Sequence, residues 1–213
     1  MDPIVLATAN PHKIEELRAI FAAAGVAVIG LKDLPGHERF SEPVEHGSTF
    51  DENATIKALS YAAQTRRLCL ADDSGLEVDA LGGAPGVISS HYSTDGVETG
   101  LSRAERDAAN NARLLREFEG VPPERRTARF LCVMVLAGIE GVGAVSRGAF
   151  EGRIGLPGDV PRGIRGFGYD PLFLVAPDFS RTSAELPPDE KNHLSHRGAA
   201  ARAMADRLRA HRT

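Results

Sequence analysis

Short apolar segments alternate with helix-forming segments along this chain, and this alternation most constrains its fold. Residues 4–7, Ile-Val-Leu-Ala, are typical of a short buried strand, and a helical pattern follows from Asn10. Asn10 is a favourable N-cap and Pro11 suits the first helical position, so we expect a helix that begins there and ends near Gly25. Its inner face is predicted to carry Ile14, Leu17, Phe21 and Ala24.

Further strands and helices follow in mixed order. Strands are predicted within 26–36, 68–71, 76–81, 127–139, 144–154 and 171–177, and helices within 50–67, 102–120 and 195–211. The inner sides of the last two helices are predicted to carry Ala108, Leu115, Phe118, Met204 and Leu208. Strands mixed with crossover helices predict an α/β architecture around one mixed sheet. We interpret residues 1–213 as a single domain.

The composition is that of an ordinary globular protein. It is 42% hydrophobic and 25% charged, with a net charge of −4, so the chain is not a general polyanion binder and any phosphate site must be built locally. Cys69 and Cys132 lie in apolar segments, which predicts buried strand cysteines rather than a disulfide framework or a zinc site. No signal peptide or transmembrane segment is recognisable, and a cytoplasmic protein with no membrane partner is expected.

A lysine stands where the helix dipole disfavours a cation. Lys13 lies in the first turn of the first helix, whose N-terminus is partially positive. Either its side chain is solvated, or it joins the free N–H groups of the helix in an anion site for a phosphate. The glycine spacing of a Walker loop is absent.

Two adjacent carboxylates follow an apolar segment in "LADDSG". Asp72 and Asp73 are predicted to lie at the carboxyl end of a buried strand, the edge at which open α/β sheets bind ligands. A divalent cation such as Mg²⁺ would relieve their repulsion, whereas the alternative is a solvated turn.

Lys57 and Glu45 are ordinary surface residues when each is taken alone. A metal and two lysines are nevertheless what a triphosphate requires.

Two later segments carry groups suited to a nucleoside. In "RGFGYDPLF", Phe167 stands between two glycines, where it forms either a packed corner or a platform on which a base stacks, with Asp170 as a polar contact. In "DEKNHLSHRG", Lys191, His196 and Arg197 surround the start of the last helix. They are either solvent-facing or grouped for recognition of an anion or a carbonyl.

Taken together and in order, five motifs resemble those of the inosine triphosphate pyrophosphatase family, also described as dITP/XTP pyrophosphatases. They are "TANPHK", "TFDENATIKA", "ADDSGLEVDALGGAPG", "GFGYDP" and "EKNHLSHRG", and the resemblance runs from Ile4 to the last helix. It implies an elongated mixed β-sheet with flanking helices and two lobes around a central nucleotide-binding cleft. It also implies a homodimer and a Mg²⁺-dependent enzyme that hydrolyses ITP, dITP and XTP to the monophosphate and pyrophosphate, with no nucleic acid polymer as partner.

The resemblance also implies roles for individual residues. Asp73 would be the proton acceptor and a magnesium ligand, with Glu45 as the other carboxylate at the metal and Asp72 as the competing base. Lys13 and Lys57 would hold the phosphates. The remaining substrate contacts would be Thr8, Ala9, Asn10, Pro11, His12, Ser74, Phe167, Gly168, Tyr169, Asp170, Lys191, His196 and Arg197.

Ala9 departs from the family pattern, which more often has glycine there, so we expect the backbone at residue 9 to avoid positive φ. Two other functions remain open. One is a Maf-like pyrophosphatase that acts on pyrimidine or canonical nucleotides. The other is a sensor that binds purine triphosphates without turning them over.

Overall fold

A computed structural model describes residues 2–210 of the chain. The strands are β1 (Ile4–Leu6), β2 (Val28–Gly30), β3 (Cys69–Val78), β4 (Thr127–Gly138), β5 (Gly141–Ile154) and β6 (Phe173–Val175). The α-helices are α1 (Pro11–Ala23), α2 (Phe50–Thr65), α3 (Arg103–Glu117), α4 (Pro188–Leu194) and α5 (His196–Ala210). Short 3₁₀ turns fill several connections, the longest of them at Gly86–Thr94.

The six strands form one mixed sheet, as the sequence predicts. Its strand order is β2-β1-β3-β4-β5-β6. β1 pairs in parallel with β2 and β3, and β5 pairs with β6 in antiparallel orientation. Only two residues connect β4 to β5, a link short enough to join only antiparallel neighbours.

Two compact units divide the described residues, and each has its own apolar core. The first comprises residues 2–74, 132–149 and 192–210, and the second comprises 75–131 and 150–191. In the first unit, Leu17 and Phe21 of α1 and Met204 of α5 pack on Ile4, Leu6, Leu70 and Met134. In the second, Leu114 of α3 and Phe118, which follows that helix, pack with Leu76, Val78, Phe130, Phe150 and Phe173. β1 and β6 are buried at every position and β3 at all but two, as in strands whose two faces are both covered.

Most local predictions at the helix ends are confirmed. Asn10 caps α1 by accepting a hydrogen bond from the His12 N–H, and Pro11 is the first helical residue. Residues 9 and 25 also agree with prediction, since Gly25 has φ of 69° whereas Ala9 is not among the positive-φ residues of the described chain. The last helix was predicted to end at residue 211, which lies outside the described residues.

One strand prediction is wrong in a way that matters for function. Residues 68–71 and 76–81 were predicted as separate strands with Asp72 and Asp73 at a strand end, but β3 runs without interruption from Cys69 to Val78. The pairing and burial of this strand override the turn preference of the Asp-Asp-Ser-Gly segment. Both aspartates are therefore residues of the strand interior.

Two smaller corrections concern helices. On α3, Ala108 is exposed, and the buried positions are Asn110 and Leu114. The inner face was predicted wrongly because Asn110 is polar and was not expected to be buried. The short helix α4 was not predicted; it carries Lys191 and precedes α5.

Both cysteines are buried and free, as predicted. None of the helices within residues 2–210 is long and apolar enough to cross a membrane.

Candidate active site

The loop between β1 and α1 is built on short-range hydrogen bonds. The Asn10 N–H donates to Thr8 Oγ1 at 3.2 Å, and Asn10 Oδ1 accepts from the His12 N–H at 3.1 Å. Ala9, Pro11 and His12 are exposed in this loop. The loop brings Lys13 to the first turn of α1 without any acidic residue beside it in that turn.

Asp72 and Asp73 point to opposite faces of the sheet because they are neighbours in a strand. Asp72 lies on the face covered by α1 and α5, where it contacts Lys13 and Arg197. Asp73 lies on the other face, where it contacts Lys57 of α2. The prediction that one cation neutralises both carboxylates is therefore replaced by a different arrangement, in which each carboxylate has its own basic partners.

One oxygen of the buried Asp72 carboxylate contacts two basic groups. Lys13 Nζ lies 2.9 Å and Arg197 Nε 3.4 Å from Asp72 Oδ2. Burial opposes ionisation of Asp72, but the charges of Lys13 and Arg197 outweigh it and hold its pKa well below the usual range. Lys13 is thus neither solvated nor unpaired, since a buried carboxylate offsets the unfavourable helix dipole at its position.

Arg197 joins this group to two further residues. Its Nη1 donates to Glu16 Oε2 at 2.6 Å and its Nη2 donates to Ser74 Oγ at 3.0 Å. Arg197 as a whole is only 2% exposed. Burial by itself would lower the pKa of Arg197, but Asp72 and Glu16 raise it above the ordinary value, so the group stays charged.

On the opposite face, one ammonium group bridges two carboxylates. Lys57 Nζ lies 2.9 Å from Asp73 Oδ1 and 2.9 Å from Glu45 Oε2. Burial opposes the charge of Lys57, yet the two carboxylates raise its pKa above the usual range. Burial raises the pKa of Asp73, while Lys57 and Lys13 offset part of that rise. The two adjacent aspartates therefore have pKa values shifted in opposite directions, which is typical of paired carboxylates with different tasks.

The loop that carries Glu45 is fastened to the start of α2. The Gly47 N–H donates to Asn53 Oδ1 at 2.8 Å, and a side chain at residue 47 would collide with Glu52 and Asn53. Thr49 caps the helix by accepting from the Glu52 N–H, and the Glu52 carboxylate in turn accepts from the Ser48 N–H. Glu45 thus reaches Lys57 from a loop that α2 itself holds.

The donor set on this face fits a magnesium ion. Asp73 Oδ2 is buried and has no hydrogen-bond partner within residues 2–210, and Asp72 Oδ1 shares that condition. No group of three or more acidic, histidine or cysteine side chains in that part of the chain could hold a metal by itself. Mg²⁺ is usually bound by one or two carboxylates together with waters and substrate phosphates. Asp73 and Glu45 meet that requirement.

In the second unit, Asp170 holds the turn that carries Phe167. Asp170 Oδ2 accepts from the Phe167 N–H at 2.8 Å and from Lys191 Nζ at 2.7 Å, and its Oδ1 accepts from Ser183 Oγ at 2.8 Å. Gly166 has φ of 77°, and a Cβ there would lie 2.1 Å from Asp170 Oδ2. Only glycine therefore fits this close approach of the backbone to the carboxylate.

The aromatic residues of this turn differ in exposure. Tyr169 is buried, and its hydroxyl donates to the Ser89 carbonyl at 2.8 Å, as in the packed corner that the sequence analysis considered. Phe167 is only partly buried. The Lys191 Nζ lies 5.3 Å and the Arg103 guanidinium carbon 4.7 Å from the centroid of its ring.

His196 and Arg197, which were predicted beside Lys191, begin α5 in the first unit. Both are buried rather than solvent-facing. Ser195 caps the helix, since its Oγ accepts from the Gly198 N–H at 3.1 Å.

Several residues that contact Arg197 or the Phe167 turn were not predicted from the sequence. Glu16 follows Lys13 by three positions on α1, a spacing that could have indicated a shared face. The Phe167 turn is contacted from distant segments by Ser183, Asp107 and Asn111. A short-range sequence pattern cannot predict such contacts.

Comparison with known proteins places this arrangement in a family. The Ham1 family model matches residues 4–207. A dITP/XTP pyrophosphatase of Frankia alni is 50% identical over 206 residues, which cover 97% of this chain and 96% of the relative. A dITP/XTP pyrophosphatase of Nitratidesulfovibrio vulgaris is 49% identical over 203 residues, covering 95% and 94%.

A solved structure agrees with these relatives. The structure of a HAM1 protein from Coxiella burnetii superposes with a TM-score of 0.82 at 38% identity and covers 99% of this chain and 100% of that one. The resemblance to the dITP/XTP pyrophosphatases that the motifs predicted is thereby confirmed. This chain belongs to the Ham1 family.

Proposed function

We propose that this chain hydrolyses the non-canonical purine nucleoside triphosphates ITP, dITP and XTP at the α–β phosphoanhydride. The products are the nucleoside monophosphate and pyrophosphate, and the reaction removes deaminated purines from the nucleotide pool. The observation that carries the proposal is the ammonium of Lys57, which lies 2.9 Å from both Asp73 and Glu45. Such an arrangement is suited to a polyphosphate and its cation, and the dITP/XTP pyrophosphatases named above support the same reaction.

The attacking water is proposed to lose its proton to Asp73. Asp73 Oδ2 is buried and has no partner within residues 2–210, so that oxygen is available to accept a proton. Oxygen of the water then bonds to the α-phosphorus as the bond from that phosphorus to the bridging oxygen breaks, and pyrophosphate leaves. Asp72 is the weaker candidate for this base, because Lys13 and Arg197 hold it.

Asp73 and Glu45 are proposed to hold Mg²⁺, which when bound neutralises phosphate charge and lowers the pKa of a coordinated water. Lys13 and Lys57 bind the phosphate oxygens, and the N–H groups at the start of α1 add to that binding. The loop of residues 8–12 borders the same phosphates. When phosphates arrive, each ammonium exchanges a carboxylate partner for a phosphate oxygen, so its charge remains compensated.

Selectivity is proposed to arise at the base. Phe167 stacks on the purine, while the backbone of Gly168 and the side chains of Tyr169 and Asp170 keep the turn in shape. Lys191, His196 and Arg197 contact the nucleoside, and donors among them suit the C6 carbonyl of hypoxanthine or xanthine. Adenine presents an N–H donor at C6 and would leave such donors unpaired. Arg197 also fixes Asp72 and Ser74 through its hydrogen bonds.

Pyrophosphate release from ITP, dITP, XTP, ATP, GTP and dTTP, each with Mg²⁺ and with excess chelator, tests the proposal. We expect fast Mg²⁺-dependent release from the first three and little from the others. Comparable turnover of dTTP would favour a Maf-like activity. Binding of purine triphosphates without any release would favour a sensor.

A homodimer in the cytoplasm is also proposed, on the basis of family resemblance. Light scattering of the purified protein would test the dimer, since a monomer at working concentration contradicts it.

A further inference from the structure

One side of α3 contacts the turn that carries Phe167. Arg103, Asp107 and Asn111 are four residues apart, so they lie along one face of that helix. The Arg103 guanidinium carbon lies 4.7 Å from the centroid of the Phe167 ring, and Asp107 and Asn111 both contact Gly168. All of these residues belong to the second unit.

The two contacts to Gly168 hold both polar groups of its backbone. Asp107 Oδ2 accepts from the Gly168 N–H at 2.9 Å, and Asn111 Nδ2 donates to the Gly168 carbonyl at 3.1 Å. Gly168 has φ of 61° and no atom within 4 Å of the position a Cβ would take. Glycine has no side chain to pack, and its backbone is conformationally permissive. Residue 168 therefore does not restrain this part of the turn by itself. The two hydrogen bonds from α3 supply that restraint.

The preceding residue is restrained from the other side. The Phe167 N–H donates to Asp170 Oδ2, which Lys191 also contacts. The Phe167 backbone is therefore fixed by Asp170 at its own N–H and by α3 at the next residue. Its ring is only partly buried and contacts Arg103 and Lys191, so the backbone sets the position from which the ring reaches these two cations.

We propose that Asp107 and Asn111 are positioning residues that preset the Phe167 ring for stacking on the purine base. This inference rests on the proposed function and adds to it two residues that act through the turn. A ring set in advance loses less conformational entropy when the base binds. Loss of either restraint then weakens binding of the base while the chemistry at the phosphates is unchanged.

Four variants of the full chain test this role. Asp107→Ala removes the acceptor for the Gly168 N–H, whereas Asp107→Asn keeps an oxygen that can accept it. Asn111→Leu removes the donor but keeps the number and branching of the side-chain heavy atoms. Arg116→Ala, at an exposed position of the same helix, is the control. Alanine and leucine are strong helix formers, so neither replacement weakens α3 through helix propensity.

The measurements separate the base from the phosphates. We expect Asp107→Ala and Asn111→Leu to raise KM for ITP about tenfold, the fold-change that one lost hydrogen bond of this kind gives. Their kcat and the inhibition constant of inorganic tripolyphosphate should match those of the wild type. Asp107→Asn should recover most of the wild-type KM, and Arg116→Ala should not differ from it. A parallel rise in KM and in the tripolyphosphate constant, an unchanged KM, or no recovery in Asp107→Asn overturns the proposal.

A binding measurement keeps this test independent of turnover. The affinity of inosine 5′-monophosphate, measured by calorimetry, should fall about tenfold in Asp107→Ala and Asn111→Leu. If the wild type binds this nucleotide but releases no pyrophosphate from ITP, the proposed reaction fails while the positioning role is still measured. A wild type that binds no inosine 5′-monophosphate overturns the positioning role itself.

Discussion

Two buried lysine–carboxylate pairs in this chain lie in different surroundings. Lys191 Nζ is 2.7 Å from Asp170, and Lys57 Nζ is 2.9 Å from Asp73. Both oxygens of Asp170 accept hydrogen bonds from protein donors, namely Ser183, the Phe167 N–H and Lys191. Asp73 uses one oxygen, and its other buried oxygen has no partner within residues 2–210.

The difference indicates two kinds of task. A buried carboxylate whose hydrogen bonds are complete stabilises one conformation, as Asp170 does for the Phe167 turn. A buried carboxylate with an unused oxygen beside a shared ammonium is suited to an incoming cation or proton. The comparison supports a structural role for the Lys191–Asp170 pair and the proposed reactive role of the Lys57–Asp73 pair. Asp73→Asn, Asp170→Ala and Mg²⁺ binding test that difference.

The largest effect is expected when the reactive carboxylate loses its charge. Asp73→Asn should lower kcat/KM for ITP about 100- to 10,000-fold, because it removes the proposed general base. Lys57 keeps Glu45 as a partner and the shape of the side chain is nearly unchanged, so the free energy of unfolding in urea should change less than in Asp170→Ala. Pyrophosphate release and denaturation of the same samples measure both quantities. Activity within tenfold of the wild type would mean that Asp73 is not the base.

The structural pair should show the reverse balance. Asp170→Ala removes the buried carboxylate that Lys191 contacts, and breaking such a pair costs about 3–5 kcal/mol of unfolding free energy. Ser183→Ala, which removes one neutral donor from the same carboxylate, should cost about 1 kcal/mol. Urea denaturation of both variants measures these values. Equal, small losses would show that Asp170 does not hold the turn.

Magnesium should stabilise only one of the two regions. At a concentration 100 times its Kd, Mg²⁺ should add about 2.7 kcal/mol to the stability of the wild type, because it binds the folded state alone. Asp73→Asn should lose most of this gain, and Ser183→Ala should keep it. Thermal unfolding with and without Mg²⁺ provides the measurement. A gain that persists in Asp73→Asn would place the ion elsewhere.

Two glycines of the Phe167 turn offer a matched pair of substitutions. Gly168→Ala should cost about 1–2 kcal/mol, the penalty for an L-residue at left-handed φ. Gly166→Ala should cost more, because its Cβ would also lie 2.1 Å from Asp170 Oδ2. Urea denaturation compares the two variants. If they are equally stable, the contact between Gly166 and Asp170 does not constrain the turn.

The last effect concerns alkaline pH in the second unit. Burial, together with the hydrogen bond to Glu117, raises the pKa of Tyr92 to about 12. The unfolded chain releases this proton near pH 10, whereas the folded chain keeps it until about pH 12. Stability should therefore fall as pH rises from about 10 to 12. Tyr92→Phe should flatten this part of the stability curve, and an unchanged slope would assign it to another group.

The fold was largely predictable because the local signals agreed with the tertiary structure. The cap at Asn10, Pro11 at the first helical position and the long apolar segment of β4 each predicted what the structure contains. Prediction failed where tertiary contacts overrode local preference. Asp72 and Asp73 resemble turn residues, yet strand pairing and basic partners on both faces keep them in β3.

The candidate site was predictable as a set of residues but not as an arrangement. The motifs pointed to Lys13, Lys57, Glu45 and Asp73 together, and the structure brings Lys57, Glu45 and Asp73 into direct contact. The partner of Lys13 is Asp72, which none of the interpretations of Lys13 had included. Contacts such as that of Asp107 with Gly168 join residues 61 positions apart, beyond the reach of any short pattern.

By itself, the sequence determined the elements, the mixed α/β class and the family, because capping residues, apolar periodicity and ordered motifs are local properties of a chain. Only the tertiary structure decided which charges neutralise one another. Adjacent side chains in a strand point to opposite faces, and whether they do so depends on β3 continuing through Asp72 and Asp73. Because β3 is continuous there, Asp72 contacts Lys13 and Arg197 on one face of the sheet. Asp73 contacts Lys57 on the other face, and Lys57 also contacts Glu45.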